Sequence, residues 1–496
     1  MSYIHSFPFF TIVMCMVAGV VSSALPRKIA KILCYSVMGL VLIMSLALLV
    51  YCVQSGEVFT YTMGQFEAPF GNELRVSSLE ALMAMVFATI MVLSLVSGNA
   101  YMEREVVVSK QNLYYILVNL LMSSLLALVY TNDLFTAYVF VEINTISACG
   151  LIMIRQNGRT FEAAMRYMIM SLLGSGLFLL GISILYDCTG HLLMSNIQEN
   201  VTILLSEGMY QIPLLVAISF MATGIAIKTA LYPFHSWLPD AYGYSTVASS
   251  AILSSLVSKG YLFLLIKIFY RIIGFEAVNK TGIMNVFFIF GLIGIIQGSI
   301  NAIRENDIRR MVSYSSVAQI GYIYMGFGLG SEIGMIASIF HIIAHGATKS
   351  LLFLSAIGLT DVSGHSRKFI DLTGAGYRNK IAGIAFTVGS LAMVGIPMFS
   401  GFISKLLFSQ AAIYAEEKML ITLMVLATST ILNAIYFMKT VIRIYTPIQT
   451  DYIKIRFRDQ KVYAFGLLLL IILNIMIGML SQPVVDIIDL GLDYFA

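Results

Sequence analysis

Apolar runs of about 20 residues recur from one end of this 496-residue chain to the other, a length that matches the hydrocarbon thickness of a bilayer. Such a chain has few ways to fold. In lipid, every backbone N–H and C=O must be satisfied within the protein, so the runs have to be helices packed into a bundle. Composition agrees: 59% of residues are hydrophobic and 11% charged, against roughly 25% charged in soluble domains. The pattern predicts fourteen spans, at about 5–25, 30–53, 78–98, 111–131, 133–154, 162–186, 212–231, 245–272, 283–303, 310–328, 331–359, 380–412, 418–444 and 462–485. The expected fold is an all-α membrane protein forming one continuous bundle. No loop is long enough to build a soluble core, so no nucleotide, flavin or iron–sulfur module is expected and any energy source is an ion gradient or a partner. The five cysteines (Cys15, Cys34, Cys52, Cys149, Cys188) are scattered with no CxxC, which predicts neither a disulfide frame nor a cluster site. The first apolar stretch lacks a basic segment before it and reads as a span rather than a signal peptide.

Basic residues concentrate in alternate loops, and that bias sets orientation. Arg27, Lys28 and Lys31 follow span one, and Arg104 and Lys110 follow span three. Arg155, Arg159 and Arg166 lie beyond span five, and Arg304, Arg309 and Arg310 beyond span nine. Span eleven leads to Arg367, Lys368, Arg378 and Lys380. Span thirteen leads to Lys439, Arg443, Lys454, Arg456, Arg458 and Lys461. The region after span eight, with Lys267, Arg271 and Lys280, is the exception; Lys267 and Arg271 read as snorkelling anchors. The alternation predicts that odd-to-even loops are cytoplasmic and both termini outside. The 54–77 segment alternates apolar and polar residues around Gly and Pro, predicting an outer β-hairpin.

Against this apolar background, a few charges fall inside the spans. Lys228 lies in IPLLVAISFMATGIAIKTALYPFHSWLPDAY, just before Pro233 and Pro239. A lysine at mid-membrane costs about 3 kcal/mol on insertion scales, so it needs a counter-charge, water or a function. Glu142, within the fifth span, is the obvious partner. Desolvation pushes both groups toward neutrality while pairing opposes it, so a mobile proton can tip the balance. The competing interpretation is a static salt bridge locking two helices. Lys259 sits in the eighth span beside Ser254, Ser255 and Ser258, a pattern able to hold a short water chain. His341, His345 and Lys349 are spaced i, i+4, i+8 on one face of the eleventh span. Histidine titrates near neutral pH, so the file suits proton relay. No HExxH pattern is present and a lysine follows, which argues against a metal site. Lys405 follows GIPMFSGFIS, where Gly395, Pro397 and Gly401 loosen the helix. His235, beside Trp237 in PFHSWLPDAY, is a candidate for proton uptake or a structural loop histidine. Asp133 and Asp240 lie near span ends and are expected to be solvated.

Two lysine-bearing, proline-broken helices, the seventh and twelfth, lie five spans apart. That predicts an inverted repeat of spans 4–8 and 9–13, as in many transporters. The expected domains are 1–110 (spans one to three with the outer hairpin), 111–272 and 283–444 (the two repeats), and 445–496 (span fourteen).

TALYPFHSWLPDAY, HIIAHGATKSLLFLSAIG and LAMVGIPMFSGFISKLLF are long and specific. They resemble the antiporter-like subunit family shared by respiratory complex I, Mrp-type cation/proton antiporters and membrane-bound hydrogenases, over spans four to thirteen. The resemblance implies that the fifth-span glutamate, here Glu142, pairs with the seventh-span lysine, here Lys228. It places the eighth-span position on Lys259, the eleventh-span histidines on His341 and His345, and the twelfth-span terminal charge on Lys405. It further implies half-channels joined by a central hydrophilic axis. The implied partners are sibling antiporter-like chains and small hydrophobic subunits, or a peripheral redox arm, in a cell membrane and without nucleic acid. GYSTVASS stands where many relatives carry a Pro-containing APT-like sequence, a departure that fits no one subfamily; Lys405 stands where one complex I member has glutamate, which points to an Mrp D-like or another lysine-bearing branch, with a hydrogenase-linked or ferredoxin-linked complex equally open. The chain as read lacks the long lateral helix of the largest members.

The expected function is therefore proton translocation, with or without cation antiport, as a subunit of a larger complex. A stand-alone transporter of organic substrates is disfavoured because no aromatic and polar cluster forms a substrate pocket. A quinone-contacting or purely structural subunit of a redox complex is the remaining alternative.

Overall fold

The computed structural model describes residues 3–66, 71–447, 455 and 457–495. Positions 67–70 of the expected hairpin, and Lys454 and Arg456 of the basic loop, lie outside them. Helices account for nearly all of the described chain. In order they are α1 (Phe7–Ser22), α2 (Arg27–Ser55), α3 (Ser78–Glu105), α4 (Gln111–Tyr130), α5 (Leu134–Met153), α6 (Gly158–Thr189), α7 (Met194–Ser206), α8 (Gln211–Thr229) and α9 (Leu238–Tyr244). α10 (Val247–Ile273) follows. Then come α11 (Ile283–Arg304), α12 (Ile308–Gly328), α13 (Glu332–Asp361), α14 (Lys380–Val394), α15 (Ser400–Tyr414), α16 (Glu416–Ile444), α17 (Lys461–Met479) and α18 (Ser481–Asp493). The hairpin is present: β1 (Phe59–Thr62) runs antiparallel to β2 (Glu73–Val76), with Phe59 opposite Val76.

Among the described residues, twelve helices are long and apolar enough to cross a membrane. The chain is a multi-pass integral membrane protein. Two expected spans differ from the rest. The one at 310–328 falls on α12, which has spanning length but carries Arg309, Arg310, Gln319 and a run of serines. The one at 380–412 is divided into α14 and α15, because Gly395 takes a left-handed conformation (φ 89°) ahead of Pro397. The seventh span breaks as its prolines predict. α8 stops at Thr229, Ala230 is left-handed (φ 61°), and α9 resumes at Leu238. At the break the Ile227 carbonyl accepts both the Ala230 N–H, at 3.2 Å, and the Trp237 indole N–H, at 3.3 Å, so the backbone there is satisfied inside the protein. The 187–211 loop contains α7, and the last expected span, 462–485, ends early at Met479 with α18 beginning at Ser481; neither was foreseen.

Two helices form the core. Every residue from Val247 to Ile273 in α10 is buried, as is every residue from Gly334 to Thr360 in α13. These are the helices that carry Lys259 and the histidines. A helix buried on all sides is normally apolar on all sides, so polar residues there need partners inside the protein. Close packing continues outward: an added Cβ at Gly224 would lie 2.5 Å from the Gly174 carbonyl oxygen, so α6 and α8 meet through glycine.

Burial also corrects two expectations. Lys267 and Arg271 are not anchors at an interface, because α10 is enclosed and reaches neither lipid nor water there. Lys267 Nζ donates to the Val129 carbonyl at 3.0 Å and to that of Thr131, capping the C-terminal end of α4. Arg271 Nη2 lies 2.5 Å from Glu80 Oε1 with both side chains buried, and its guanidinium stacks 3.9 Å from the Phe495 ring centroid. Asp240 is not free in solvent: it pairs with Arg166 at 2.9 Å and with Arg310. Asp133 accepts the Thr136 N–H at 2.6 Å as the N-cap of α5.

Arg271→Ala should strand the Glu80 carboxylate and destabilise the protein by about 3–5 kcal/mol. That loss would be read as a lower melting temperature in detergent, and adding Glu80→Ala should recover part of it. Gly224→Ala should cost about 1–3 kcal/mol through overpacking. Gly176→Ala, with nothing within 4 Å of the added Cβ, should melt like the parent in the same assay.

Candidate functional site

The site is built from the ends of broken helices. Lys228 occupies the last turn of α8, where unpaired carbonyls give the helix end a partial negative charge that favours a cation. Its side chain is 1% exposed, and the ammonium lies 3.8 Å from Oε1 of Glu142 on α5; the Glu142 side chain is 24% exposed. Lys228 Nζ donates to Thr145 Oγ1 at 2.8 Å and lies 5.5 Å from the Tyr261 ring centroid. Glu142 accepts a hydrogen bond from Ser175 on α6. From Thr145, polar contacts continue inward. Its hydroxyl is 3.3 Å from that of Tyr261, which donates to Asn144 Oδ1 at 3.0 Å, and Asn144 donates to Ser124 Oγ at 2.9 Å. The pair is therefore one end of a hydroxyl-rich network that reaches α10 two residues from Lys259.

Lys259 is buried and follows a π-helical turn, Leu253–Val257. A π-turn displaces carbonyls from the usual i→i+4 ladder. Lys259 Nζ donates to the Ser254 carbonyl in this turn and lies 3.3 Å from Ser258 Oγ. The next core helix touches the same turn: an added Cβ at Gly346 would lie 3.0 Å from the Ser255 carbonyl oxygen. α13 therefore packs, at the residue after His345, on the turn that holds Lys259.

The expected file on α13 divides. The His341 and His345 rings stack with centroids 5.8 Å apart and planes at 10°. His341 also packs against the Tyr322 and Phe408 rings. Among the described residues, none of the four imidazole nitrogens has a hydrogen-bond partner. Lys349 turns instead toward α12, donating to the Val312 carbonyl at 2.8 Å and to Ser315 Oγ. Lys405, on α15, reaches back across the break to the Val394 carbonyl at 2.6 Å, the C-terminal end of α14, and donates to Thr430 Oγ1 on α16 at 2.7 Å. His235 lies in the turn between α8 and α9 and stacks on Tyr232, with ring centroids 5.3 Å apart.

Glu142 and Lys228 are thus brought together, Lys259 and His345 lie on adjoining helices, and Lys349 and Lys405 each have hydroxyl and carbonyl partners. Sequence reasoning missed the hydroxyls of Ser175, Thr145, Tyr261, Ser315 and Thr430. Their only sequence signal was mid-span polarity, which is common in packed helices.

The family described as NADH:quinone oxidoreductase/Mrp antiporter, TM, matches residues 131–431. NADH-quinone oxidoreductase subunit N of Desulforudis audaxviator (strain MP104C) is 32% identical over 387 residues, covering 78% of this chain and 75% of the relative. A "Putative antiporter subunit mnhD2" of Staphylococcus epidermidis is 30% identical over 468 residues, covering 92% of this chain and 89% of the relative. Two solved structures share the fold. A chain of the membrane-bound sulfane sulfur reductase, an archaeal respiratory membrane complex, superposes with a TM-score of 0.87 at 23% identity, covering 99% of this chain and 96% of that one. A chain of the Mrp complex from Dietzia sp. DQ12-45-1b superposes with a TM-score of 0.86 at 22% identity, covering 99% and 97%. The chain belongs to the NADH:quinone oxidoreductase/Mrp antiporter transmembrane family, whose relatives are subunits of multisubunit membrane complexes.

Proposed function

We propose that this chain translocates protons as the antiporter-like subunit of a multisubunit complex, through Glu142–Lys228, Lys259, His341 and His345, Lys349 and Lys405. What carries the reading is the Lys228 ammonium. It is buried, bonded to a neutral hydroxyl at 2.8 Å, and held 3.8 Å from its carboxylate, beyond direct hydrogen-bonding distance. A lysine kept only as a structural lock would close that gap, since a buried pair needs close geometry to offset its desolvation. In the proposed cycle a proton reaching Glu142 weakens its hold on Lys228. The excess charge then moves toward Lys259, past the stacked histidines, to Lys349 and Lys405. Each shift changes the proton affinity of the next group, so the steps are coupled. His235, in the break after α8, is the proposed uptake point.

In this reading the bundle has fourteen spans with an inverted five-helix repeat, spans 4–8 and 9–13, between an N-terminal unit (1–110) and a last span (445–496). The basic loops face the cytoplasm and both termini lie outside the cell membrane. The chain's relative named as a putative antiporter subunit favours antiport within a larger assembly, for which the proposed partners are sibling antiporter-like and small hydrophobic subunits. Its relative named as an NADH-quinone oxidoreductase subunit favours membership of a redox complex. Mass spectrometry of the complex purified through this chain separates the two by whether redox subunits come with it.

In vesicles holding the intact complex, Lys228→Ala and Glu142→Ala should each lower proton flux at least tenfold while native mass spectrometry shows normal assembly. Parental flux in either variant would sink the reading. Lys405→Glu should retain more flux than Lys405→Ala if a titratable group is what the position requires.

A further inference from the structure

On the face that carries the basic loops, a cavity of about 460 Å³ gathers more positive charge than its carboxylates balance. Arg104 lies at the end of α3, Arg155 follows α5, Arg309 is the second residue of α12 and Arg367 follows α13; all four line the cavity. Glu105 and Asp361 are the carboxylates beside them, and both are engaged. Glu105 lies 3.6 Å from Arg155 Nη2 and accepts the Val247 backbone N–H at 2.9 Å. Asp361 lies 3.8 Å from Arg104 Nη1 and 3.6 Å from His365 Nδ1. Asp307, close by in sequence, caps α12 by accepting the backbone N–H groups of Arg309 and Arg310. Among the described residues, neither Arg309 nor Arg367 has a carboxylate partner.

Arg309 makes the imbalance acute, because it is 1% exposed. Its Nη2 donates to the Ser245 carbonyl at 2.5 Å and to Ser250 Oγ at 2.7 Å, both neutral acceptors. Its Nε has no hydrogen-bond partner among the described residues. A buried charge is ordinarily paired, since leaving it alone forfeits its hydration for nothing. Two helix starts add to the surplus: Val247, which opens α10, and Arg309 both line the cavity, and the N-terminal end of a helix favours an anion. The cavity is reachable from outside. Arg104 and His365 stand at its mouth with side chains 62% and 82% exposed. Arg367 Nη1 also donates to the Gly243 carbonyl at 2.9 Å, so the two unpaired arginines grip the link between α9 and α10 from one side.

We propose that this cavity binds a phosphate-type oxyanion, which supplies the counter-charge that Arg309 and Arg367 lack. Guanidinium groups match phosphate oxygens through paired N–H donors. A tetrahedral oxyanion carries enough oxygens to serve Arg309 Nε together with Arg155 and Arg367, whereas a carboxylate offers two and a halide one acceptor. The same chemistry reaches the cavity from two sources: free phosphate in the aqueous phase, or the headgroup of an anionic phospholipid at the membrane surface. Either occupant neutralises the surplus charge and braces the link that opens core helix α10. The site stands apart from the proton relay, and its test reads binding rather than flux.

The intact complex, purified in detergent and exchanged into chloride, is dialysed to equilibrium against radiolabelled inorganic phosphate. For a free-phosphate occupant, binding should saturate, with sulfate competing and acetate at equal concentration competing at least tenfold less well. Arg367→Gln and Arg155→Gln should each weaken that binding at least tenfold, as should Arg309→Lys, which keeps the charge and loses the fork. Lys28→Gln, which removes an exposed cation at the start of α2, should leave it at the parental value. For a lipid occupant, the phosphate arm stays empty. Native mass spectrometry of the complex taken from phosphatidylglycerol nanodiscs should then show a retained lipid that Arg367→Gln and Arg155→Gln release. Arg155 is partly exposed and outside the helices, so its variant keeps the test readable if Arg367→Gln fails to assemble. The proposal is overturned if phosphate binding and lipid retention are both parental in the arginine variants, or if neither ligand binds the parent. Acetate competing as well as sulfate overturns the assignment to a tetrahedral oxyanion.

Discussion

Placing ammonium groups inside a packed helical bundle demands acceptors that the regular helix cannot offer, because its carbonyls are already bonded. The structure meets that demand by interrupting helices where the charges lie. Lys228 ends a helix, Lys405 reaches the carbonyl end of another, Lys267 caps a third, and Lys259 takes a carbonyl released by a π-turn. Each break makes a local negative end, and each of these four lysines occupies one, whereas Lys349 takes the Val312 carbonyl within the unbroken α12. At these four positions the interruption supplies the acceptors that the buried charge needs.

The two core helices set the spacing of the network. Because α10 and α13 are enclosed on all sides, their polar groups exchange partners only with one another and with the next shell of helices. The histidines mark the extreme. Four ring nitrogens without hydrogen-bond partners among the described residues impose a desolvation cost that a purely structural site would avoid by using apolar residues. The hydroxyls around Lys228, Lys349 and Lys405 act differently, holding each ammonium in a neutral cradle rather than fixing it to a carboxylate.

Much of this was legible in the sequence. Apolar run length located the helices, prolines located the breaks at 230–237 and 395–399, and isolated charges located Glu142, Lys228, Lys259 and Lys405. What failed has physical causes. Hydropathy reports how apolar a helix is but not what surrounds it, so Lys267 and Arg271 looked like interfacial anchors although no interface lies near them. The i, i+4, i+8 spacing placed Lys349 on the histidine face, yet a long side chain goes where acceptors are, and those were on α12. Hydroxyl networks such as Thr145–Tyr261–Asn144 join residues more than a hundred positions apart, and no local pattern announces such a meeting.

The π-turn at Leu253–Val257 also changes how α10 has to be read along its length. Such a turn accommodates one extra residue, which rotates everything beyond it by about 100° relative to a regular helix. A helical wheel drawn from Thr246 would therefore misassign the neighbours of Lys259, Lys267 and Arg271 together. A second π-turn, Phe269–Ile273, contains Arg271 and shifts the frame again at the far end. Seen this way, the inserted residue is a phase setting. Deleting one position near Ser255 would restore a regular helix, yet would turn three cations away from the carbonyls and carboxylate that receive them.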